Sequence, residues 1–485
     1  MKSKWIVFLL ISLAMLPLAF SQTEGKPLTC NQITAWLAGG LSNPRVGRYA
    51  SESNIAFAPG SENLRALRAA GADDSLIDTL RHLKNGNQQP AASCTADWTA
   101  IAVSARNQQY RKAENEIRTL LHSAPQDPAL HFALGFMLRQ QEDWDNALDE
   151  FSESAHQMPG FSDTHAQLAY IFYRQTENDN AIAEARTALS MDPHNAEAYR
   201  YLGLALYGDG RYEAALRAFG EALTLEPKNA DTFYDLGITF RDKGDLRAAA
   251  MSYRQAIELN PNSWEAHTNL GVVLHDQGKL DEAIAEYREA KHIAPEEPSI
   301  RGNLGATYCD KADYDAAISE LRELYQTNPD WRGGHSCLAR ALMAKHEYDA
   351  AIPELRIAIQ INPTGATEHR VLGQALLTTG KVDEAVRELR AAVGLNPDSD
   401  VAHHYLGTAL YQAERYDEAE REFRQAVRLK ATADNHFALA ACLMTMNRNE
   451  EALSELEIAS HLDPEQKLYR ARKDELIKLM KGNVQ

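Results

Sequence analysis

The chain has 485 residues, a formal net charge of −18 and a pI near 5.4. No segment concentrates lysine and arginine into a basic stripe, which argues against nucleic acid as a partner, because phosphate binding depends on such clusters. The length alone would suit about three globular domains, but a strong internal repeat makes that estimate irrelevant.

The N-terminus predicts a cleaved export signal over residues 1–21. Two lysines precede an apolar run over 5–20, and the small residues Ala19 and Ser21 suit cleavage after Ser21. The run is short for a membrane span. We therefore expect a periplasmic or secreted protein with no transmembrane span after signal removal. A retained N-terminal anchor is the alternative.

Residues 28–84 predict a small helical domain of three or four short helices. Leucines at helical spacing mark one helix over 61–70, and Gly71 is its stop signal. The stretch 67–72 resembles a small helical domain that precedes repeats in other exported bacterial proteins, a resemblance that brings no activity. Residues 85–93, rich in Asn, Gln and Ala, predict a linker.

The chain contains five cysteines. Cys30 and Cys94 bracket the segment before the repeats, and an oxidising compartment would allow them to pair; the sequence leaves the pairing open. Cys309, Cys337 and Cys442 fall on predicted helices and are interpreted as small packed residues. No two cysteines have a CxxC spacing, so neither a metal site nor a haem attachment is expected.

From residue 94 onward the sequence repeats with a period of 34 residues. Such a period predicts a solenoid, in which each unit contacts only its neighbours. Leucine marks the period at Leu134, Leu168, Leu202, Leu236, Leu270, Leu304, Leu338, Leu372, Leu406 and, one residue early, Leu439. Glycine or alanine follows each leucine, another alanine comes thirteen residues after it, and proline usually closes the unit.

One unit shows all these columns: Trp264–Gly271 carries the leucine and glycine, and Ala283, Ala290 and Pro295 follow. This pattern resembles the tetratricopeptide repeat (TPR) family over about 94–485. The resemblance implies an all-α, right-handed superhelix of about eleven 34-residue helix-turn-helix repeats over 94–464. The repeats start near 94, 128, 162, 196, 230, 264, 298, 332, 366, 400 and 433, and a capping helix over 465–485 follows.

Each column has a physical role in such a unit. The leucine fills the space between the two helices, and the adjacent glycine lets the partner helix approach closely. Proline lies just past the second helix because it cannot continue it. In repeat 8, Gly333 and Gly334 weaken the start of the first helix, and Pro353 is expected early in the second, where a missing N–H costs little. A bend or flexible joint there is one interpretation, and tolerated drift is the other.

Histidine occupies the fourth position of seven repeats. Neighbouring first helices pack about 8–10 Å apart, whereas zinc ligands all lie about 2 Å from one ion. We therefore expect packing histidines rather than a metal site, and buried neutral histidines would destabilise the fold when they become charged in acid. The residues are His131, His165, His267, His335, His369, His403 and His436.

The TPR resemblance implies that certain first-helix positions line an inner groove. In the N-terminal half these positions hold aromatic residues and arginines, which dominate binding hot spots. They predict a partner protein segment along repeats 2–5, extended or helical, with acidic groups that arginine can clamp. The alternative is that the aromatics only pack inside the superhelix. The predicted residues are Phe132, Phe136, Arg139, Tyr170, Tyr173, Arg174, Arg200, Tyr207, Tyr234 and Arg241.

No catalytic motif occurs: the sequence lacks a phosphate loop, a Gly-x-Ser-x-Gly elbow and a His-Glu-x-x-His pair. The sequence therefore predicts a non-enzymatic scaffold or adaptor, without cofactor or metal, that binds protein outside the cytoplasm. The alternative is a component of envelope machinery that binds polysaccharide or unfolded client proteins. Self-association is left open.

Overall fold

The computed structural model describes residues 27–83 and 93–482. The expected signal peptide and nearly all of the expected linker lie outside the described residues. Within these ranges the chain forms 27 α-helices, and its only extended pairing is an isolated bridge between Leu28 and Ile55. The expected all-α fold is therefore confirmed. No helix in the described part is both long enough and apolar enough to cross a membrane.

Four helices precede the repeats: α1 (Cys30–Ala38), α2 (Asn43–Ser53), α3 (Ser61–Ala70) and α4 (Asp74–His82). The first helix of each repeat is α5 (Ala96–Arg106), α7 (Pro128–Gln140), α9 (Ser162–Arg174), α11 (Ala196–Gly208), α13 (Ala230–Asp242), α15 (Trp264–Asp276), α17 (Pro298–Asp310), α19 (His335–Ala344), α21 (Ala366–Thr378), α23 (Asp400–Gln412) and α25 (Ala433–Thr445).

The second helices are α6 (Tyr110–Leu121), α8 (Trp144–Gln157), α10 (Asn178–Met191), α12 (Tyr212–Leu225), α14 (Leu246–Leu259), α16 (Leu280–Ile293), α18 (Tyr314–Thr327), α20 (Tyr348–Ile361), α22 (Val382–Leu395), α24 (Tyr416–Leu429) and α26 (Asn449–Leu462). The last helix is α27 (Lys467–Gly482). The described residues fall into two compact units that divide after Pro261, the end of repeat 5.

A left-handed residue forms the turn between the two helices of every repeat. This conformation suits glycine, because other residues place Cβ close to the backbone. Only four of the eleven turns use glycine, so the hairpin geometry is imposed by the packed helices rather than by the turn residue. The positions are Gln108, Glu142, Thr176, Gly210, Gly244, Gly278, Ala312, His346, Gly380, Glu414 and Asn447.

Within a repeat, the glycine after the marker leucine lies against a large side chain of the second helix, sixteen residues later. A Cβ added at Gly271 would lie 2.6 Å from the ring of Tyr287, and one at Gly305 would lie 2.6 Å from Leu321. Tyr287 and Leu321 are themselves buried. The close approach expected from the glycine column is therefore present, and its partner is an aromatic or leucine side chain.

Repeat 8 departs from its neighbours as its sequence suggests. Helix α19 begins at His335, whereas the repeat starts near 332, and Gly334 adopts a left-handed φ of 88°. Pro353 is the sixth residue of α20, which continues through it. The expectation that its missing N–H costs little is therefore wrong, because a residue past the first turn normally donates to the carbonyl four residues earlier.

Substitution of Gly271 tests the close approach of the two helices. We expect Gly271→Ala to destabilise the protein by about 1–3 kcal/mol, because the added methyl overpacks a contact with the buried Tyr287 ring. Gly394→Ala is the matched control: it changes a glycine within α22 that has open space around it. It should instead stabilise by about 0.5–1 kcal/mol through helix propensity. Chemical denaturation of both variants measures the difference, and equal effects would contradict the packing argument.

Candidate functional site

Six of the ten residues predicted for the inner groove surround one cavity of about 260 Å³ in the first unit. They come from three consecutive first helices, α9, α11 and α13. Residues one repeat apart, such as Tyr173 and Tyr207, become neighbours because the repeats stack. We call the set the tyrosine groove: Tyr170, Tyr173, Arg174, Arg200, Tyr207 and Tyr234.

Other aromatic rings support the tyrosines. The Tyr170 ring centroid lies 4.9 Å from that of Tyr201 and 6.2 Å from that of Trp144. The Tyr234 centroid lies 5.8 Å from that of the buried Tyr253. Each tyrosine of the groove is half-buried. Part of each ring is therefore packed, and the rest is available to a bound segment.

Arg200 is already paired with carboxylates of the next repeat. Its Nε lies 2.6 Å from Asp235 and its Nη1 lies 3.2 Å from Asp231. Burial raises the pKa of Asp235, and the Arg200 guanidinium opposes that rise. The expectation that the groove arginines clamp acidic groups of a partner therefore does not hold for Arg200, whose charge is balanced within the protein.

Arg174 differs from Arg200 because it is exposed. Its guanidinium carbon lies 4.5 Å from the centre of the Trp144 ring, and it donates a hydrogen bond of 3.2 Å to the Tyr170 hydroxyl. No carboxylate of the described residues forms an ion pair with it. Arg174 is thus the groove cation best placed to receive a carboxylate from outside.

The remaining two predicted arginines do not line the cavity. Arg139 donates to Gln167 and, at 3.0 Å, to the Tyr201 hydroxyl, and it lies 4.8 Å from the centre of the Tyr170 ring. Arg241 donates from Nε to Asp242 at 3.0 Å. The same Asp242 accepts a hydrogen bond from Tyr207. Arg139 therefore contacts the ring of Tyr170 and the hydroxyl of Tyr201, whereas Arg241 shares Asp242 with the groove residue Tyr207.

The two predicted phenylalanines do not line the tyrosine groove. Phe132 is fully buried, with ring centroids 5.5 Å from Phe151 and 5.3 Å from Phe161. Phe136 is half-buried against Gly40, which follows α1. The prediction of a partner surface at repeat 2 is wrong for Phe132, because α1 packs on α7 and Phe132 is buried there. For Phe136, which lines a separate cavity beside the N-terminal helices, it stays a prediction.

Polar contacts also join helix α2 to repeat 3 of the first unit. Arg45 pairs with Asp163 and lies 3.3 Å from Asp192, while Arg48 lies 2.6 Å from Asp192. Tyr49 donates to Asp163 at 2.6 Å. Asp163 is fully buried, and loss of one partner from such a cluster is costly because a charge remains buried alone.

A disulfide ties the same region together. Cys30, the first residue of α1, is bonded to Cys94, just before α5, with a Cα–Cα distance of 4.9 Å. The bond lies in the hydrophobic core that these helices share with repeats 1 and 2. The N-terminal helices are thus part of the first unit, whose tyrosine groove is formed by α9, α11 and α13.

Each histidine of the fourth-position column contacts a glutamate nineteen residues later in the same repeat. The Nδ1–Oε2 distances are 2.5–2.7 Å for the pairs His131–Glu150, His165–Glu184, His267–Glu286, His335–Glu354, His369–Glu388, His403–Glu422 and His436–Glu455. The described residues contain no cluster of three or more metal-ligating side chains. The histidine column therefore joins the two helices in the seven hairpins that carry it.

For His131 the expected effect of pH is reversed. The hydrogen bond to Glu150 raises the pKa of His131, outweighing burial, and Nε2 lies 3.0 Å from the carbonyl of Pro125. Both ring nitrogens face acceptors, which favours the doubly protonated imidazolium. Protonation was expected to destabilise the fold if these histidines were buried and neutral, and that condition is not met at His131.

Comparisons with known proteins agree with this architecture. A family model for the C-terminal domain of cilia and flagella-associated protein 70 matches residues 62–302. A tetratricopeptide repeat model matches 337–400, 370–436 and 404–467. The chain belongs to the tetratricopeptide repeat family. No curated protein matches this TPR chain.

Several solved structures resemble parts of this TPR protein. YrrB, a TPR protein with an unusual peptide-binding site, is 26% identical, with a TM-score of 0.33, over 40% of this chain and 97% of its own. PilF of Pseudomonas aeruginosa is 22% identical, with a TM-score of 0.39, over 45% and 97%. A TPR protein of Parabacteroides merdae is 17% identical, with a TM-score of 0.36, over 51% and 98%.

The His131–Glu150 contact makes a pH-dependent prediction. Because the folded-state pKa of His131 is raised above its usual value, the stabilisation is fully present at low pH and is lost as pH rises through that folded-state pKa. Glu150→Gln should therefore reduce the unfolding free energy more at pH 6 than at pH 8.5. Urea denaturation across this range measures the effect. Glu142→Gln, on an exposed turn of the same repeat, is the control. If the difference in unfolding free energy between the wild type and Glu150→Gln grew with rising pH, the assignment would be refuted.

Proposed function

We propose that this TPR protein is a non-enzymatic scaffold that holds a segment of a partner protein in the tyrosine groove of repeats 3–5. The TPR fold is an interaction fold, and this chain adds a cavity of about 260 Å³ lined by four half-buried tyrosines. Tyrosine supplies a large contact area at a small entropic cost, and it is enriched in binding hot spots.

The exposed Arg174 is the observation that carries the proposal. Its guanidinium lies at the margin of the cavity without a carboxylate from the described residues, whereas Arg200 is neutralised by Asp235 and Asp231. A segment that stacks on the tyrosine rings and places one carboxylate on Arg174 satisfies both features. A highly acidic segment does not, because the groove offers a single unpaired cation.

The compartment forms part of the proposal. The predicted signal over 1–21 supports export to the periplasm or the exterior. Mass spectrometry of the mature N-terminus is the direct check. A chain that begins at residue 22 supports export, whereas a chain that retains Met1 supports an anchor or a cytoplasmic protein.

Site-specific photocrosslinking in the native host tests the groove. A photoreactive residue replaces Tyr173 in the groove, and, as a matched control, Met251 on the outer helix α14 of the same unit, where the side chain is 60% exposed. We expect an adduct with one defined protein from position 173 only. Identical adducts from both positions, or none from position 173, would contradict the proposal. An adduct of twice the chain mass would indicate self-association instead.

The captured partner then allows an affinity test. Arg174→Gln and Tyr173→Ala should each weaken binding by roughly ten-fold, a typical hot-spot effect, without a change in melting temperature. Arg247→Gln removes the same charge from the exposed surface of α14 and should leave binding unchanged. Loss of stability in Tyr173→Ala would show instead that the groove aromatics only pack. A glycan array that binds the wild type but not Tyr173→Ala would favour polysaccharide as the ligand.

A further inference from the structure

Two free cysteines meet between consecutive repeats of the second unit. Cys309 lies near the end of α17 and Cys337 lies near the start of α19. The Cys309 thiol donates to the backbone carbonyl of Cys337 at 3.0 Å, and the Cys337 thiol contacts the carbonyl of Gly305 at 3.4 Å. The sequence placed them in different repeats, and stacking of the first helices brings them into contact.

Polar side chains lie near the two cysteines, and a cavity adjoins Cys337. Arg340, one turn after Cys337, lies 2.7 Å from Asp310, which also accepts a hydrogen bond of 3.0 Å from His275. Cys337 is half-buried and lines a cavity of about 640 Å³ together with Arg340. The cavity gives small solutes a route to the Cys337 side chain. Cys309 is only 3% exposed and does not line the cavity, so a solute reaches it past Cys337.

The two thiols differ in acidity. A hydrogen bond from Cys337, assisted by the Arg340 guanidinium, lowers the pKa of Cys309 to about 7. The same contact with Cys309 raises the pKa of Cys337. Burial raises the pKa of the third free cysteine, Cys442, to about 11. Because the thiolate is the reactive form of cysteine, the three thiols should react at different rates.

We propose that Cys309 and Cys337 form a redox modification site, in which a small hydroperoxide oxidises the dithiol to an intramolecular disulfide. This inference does not depend on the tyrosine groove, which lies in the other unit. It assigns Cys309 as the thiol that reacts first, Cys337 as the resolving thiol and Arg340 as a positioning residue that favours the Cys309 thiolate.

Hydrogen peroxide gives a balanced sequence of steps. The Cys309 thiolate attacks one peroxide oxygen; an S–O bond forms, the O–O bond breaks, and the leaving hydroxide takes a proton to become water. The Cys337 sulfur then attacks the sulfur of the resulting sulfenic acid. An S–S bond forms, the S–O bond breaks, and the hydroxide leaves with the Cys337 proton as a second water. The two thiols lose two electrons, and the peroxide is reduced by two electrons.

The disulfide would change the part of the solenoid where the helical pattern is interrupted. It would tie α17 directly to α19, across the segment that contains Gly333 and Gly334 and delays the start of α19. Cross-linking removes conformational freedom from the segment that it closes. Oxidation should therefore restrict the beginning of repeat 8 and reshape the adjoining cavity.

The full-length reduced protein, treated with hydrogen peroxide at pH 7, tests the proposal. Peptide mapping should find Cys309 and Cys337 in one linked peptide, lighter by two hydrogen atoms than the two reduced peptides together. Their loss of alkylatable thiol should be roughly ten-fold faster than that of Cys442, because the pKa of Cys309 is lowered and the pKa of Cys442 is raised, so that Cys309 has the larger thiolate fraction. The Cys30–Cys94 bond is read separately in the same digest.

Three variants assign the roles. Cys337→Ser should leave Cys309 as a sulfenic acid that dimedone traps, and Cys309→Ser should give neither product. Arg340→Gln should move the pH profile of Cys309 oxidation to higher pH, an effect that a purely structural role would not produce. The assignment is overturned if peroxide removes the alkylatable thiols of Cys309 and Cys337 no faster than that of Cys442. It is also overturned if Cys309 in the Cys337→Ser variant gives no dimedone adduct. Far-ultraviolet circular dichroism verifies folding, and Cys309→Ala replaces Cys309→Ser if the serine variant unfolds.

Discussion

The close contact between a glycine of the first helix and a large side chain of the second is the constraint on which the structure depends. Gly271 against Tyr287 and Gly305 against Leu321 show the arrangement, in which no side chain other than hydrogen fits. The contact fixes the distance between the two helices, so that the hairpin closes even where its turn lacks glycine, as at Ala312 and Glu414. A uniform hairpin then allows the next one to stack on it.

Stacking at a constant period converts positions in the sequence into rows on the surface. Tyr173 and Tyr207 become neighbours for this reason, and so do Arg200 and Tyr234, which together create the tyrosine groove. The same geometry lets one repeat neutralise another, as Arg200 does with Asp235 at 2.6 Å. The positive charge of Arg200 is therefore neutralised within the protein. Arg174, which is exposed, is the other arginine of the groove and forms no such pair within the described residues.

The stacking of the repeats also accounts for the histidine–glutamate pairs and for the contact between Cys309 and Cys337. Each histidine of the column lies beside a glutamate because, in the seven repeats that carry both, the two residues are nineteen positions apart. Cys309 and Cys337 are not part of a column, yet they meet because they occupy opposite sides of one contact between repeats. A periodic structure thus places both repeated and isolated residues at predictable distances. Whether two such residues form an ion pair or a hydrogen bond depends on which side chains occupy the neighbouring positions.

The sequence by itself determined the class of fold and the register of the repeats, because the glycine, alanine and proline columns report local requirements of helix contact and helix termination. Six of the ten residues that line the groove cavity were among those predicted from the sequence. The sequence did not determine that Phe132 is buried, since this requires α1 to pack on α7 from a segment that lacks the repeat. The pairing of Arg200, the charge favoured on His131 and the contact between two cysteines were likewise decided only by the tertiary structure. Each depends on a side chain from a different helix, and the energy of a buried or charged group is set by that neighbour rather than by its own position in the pattern.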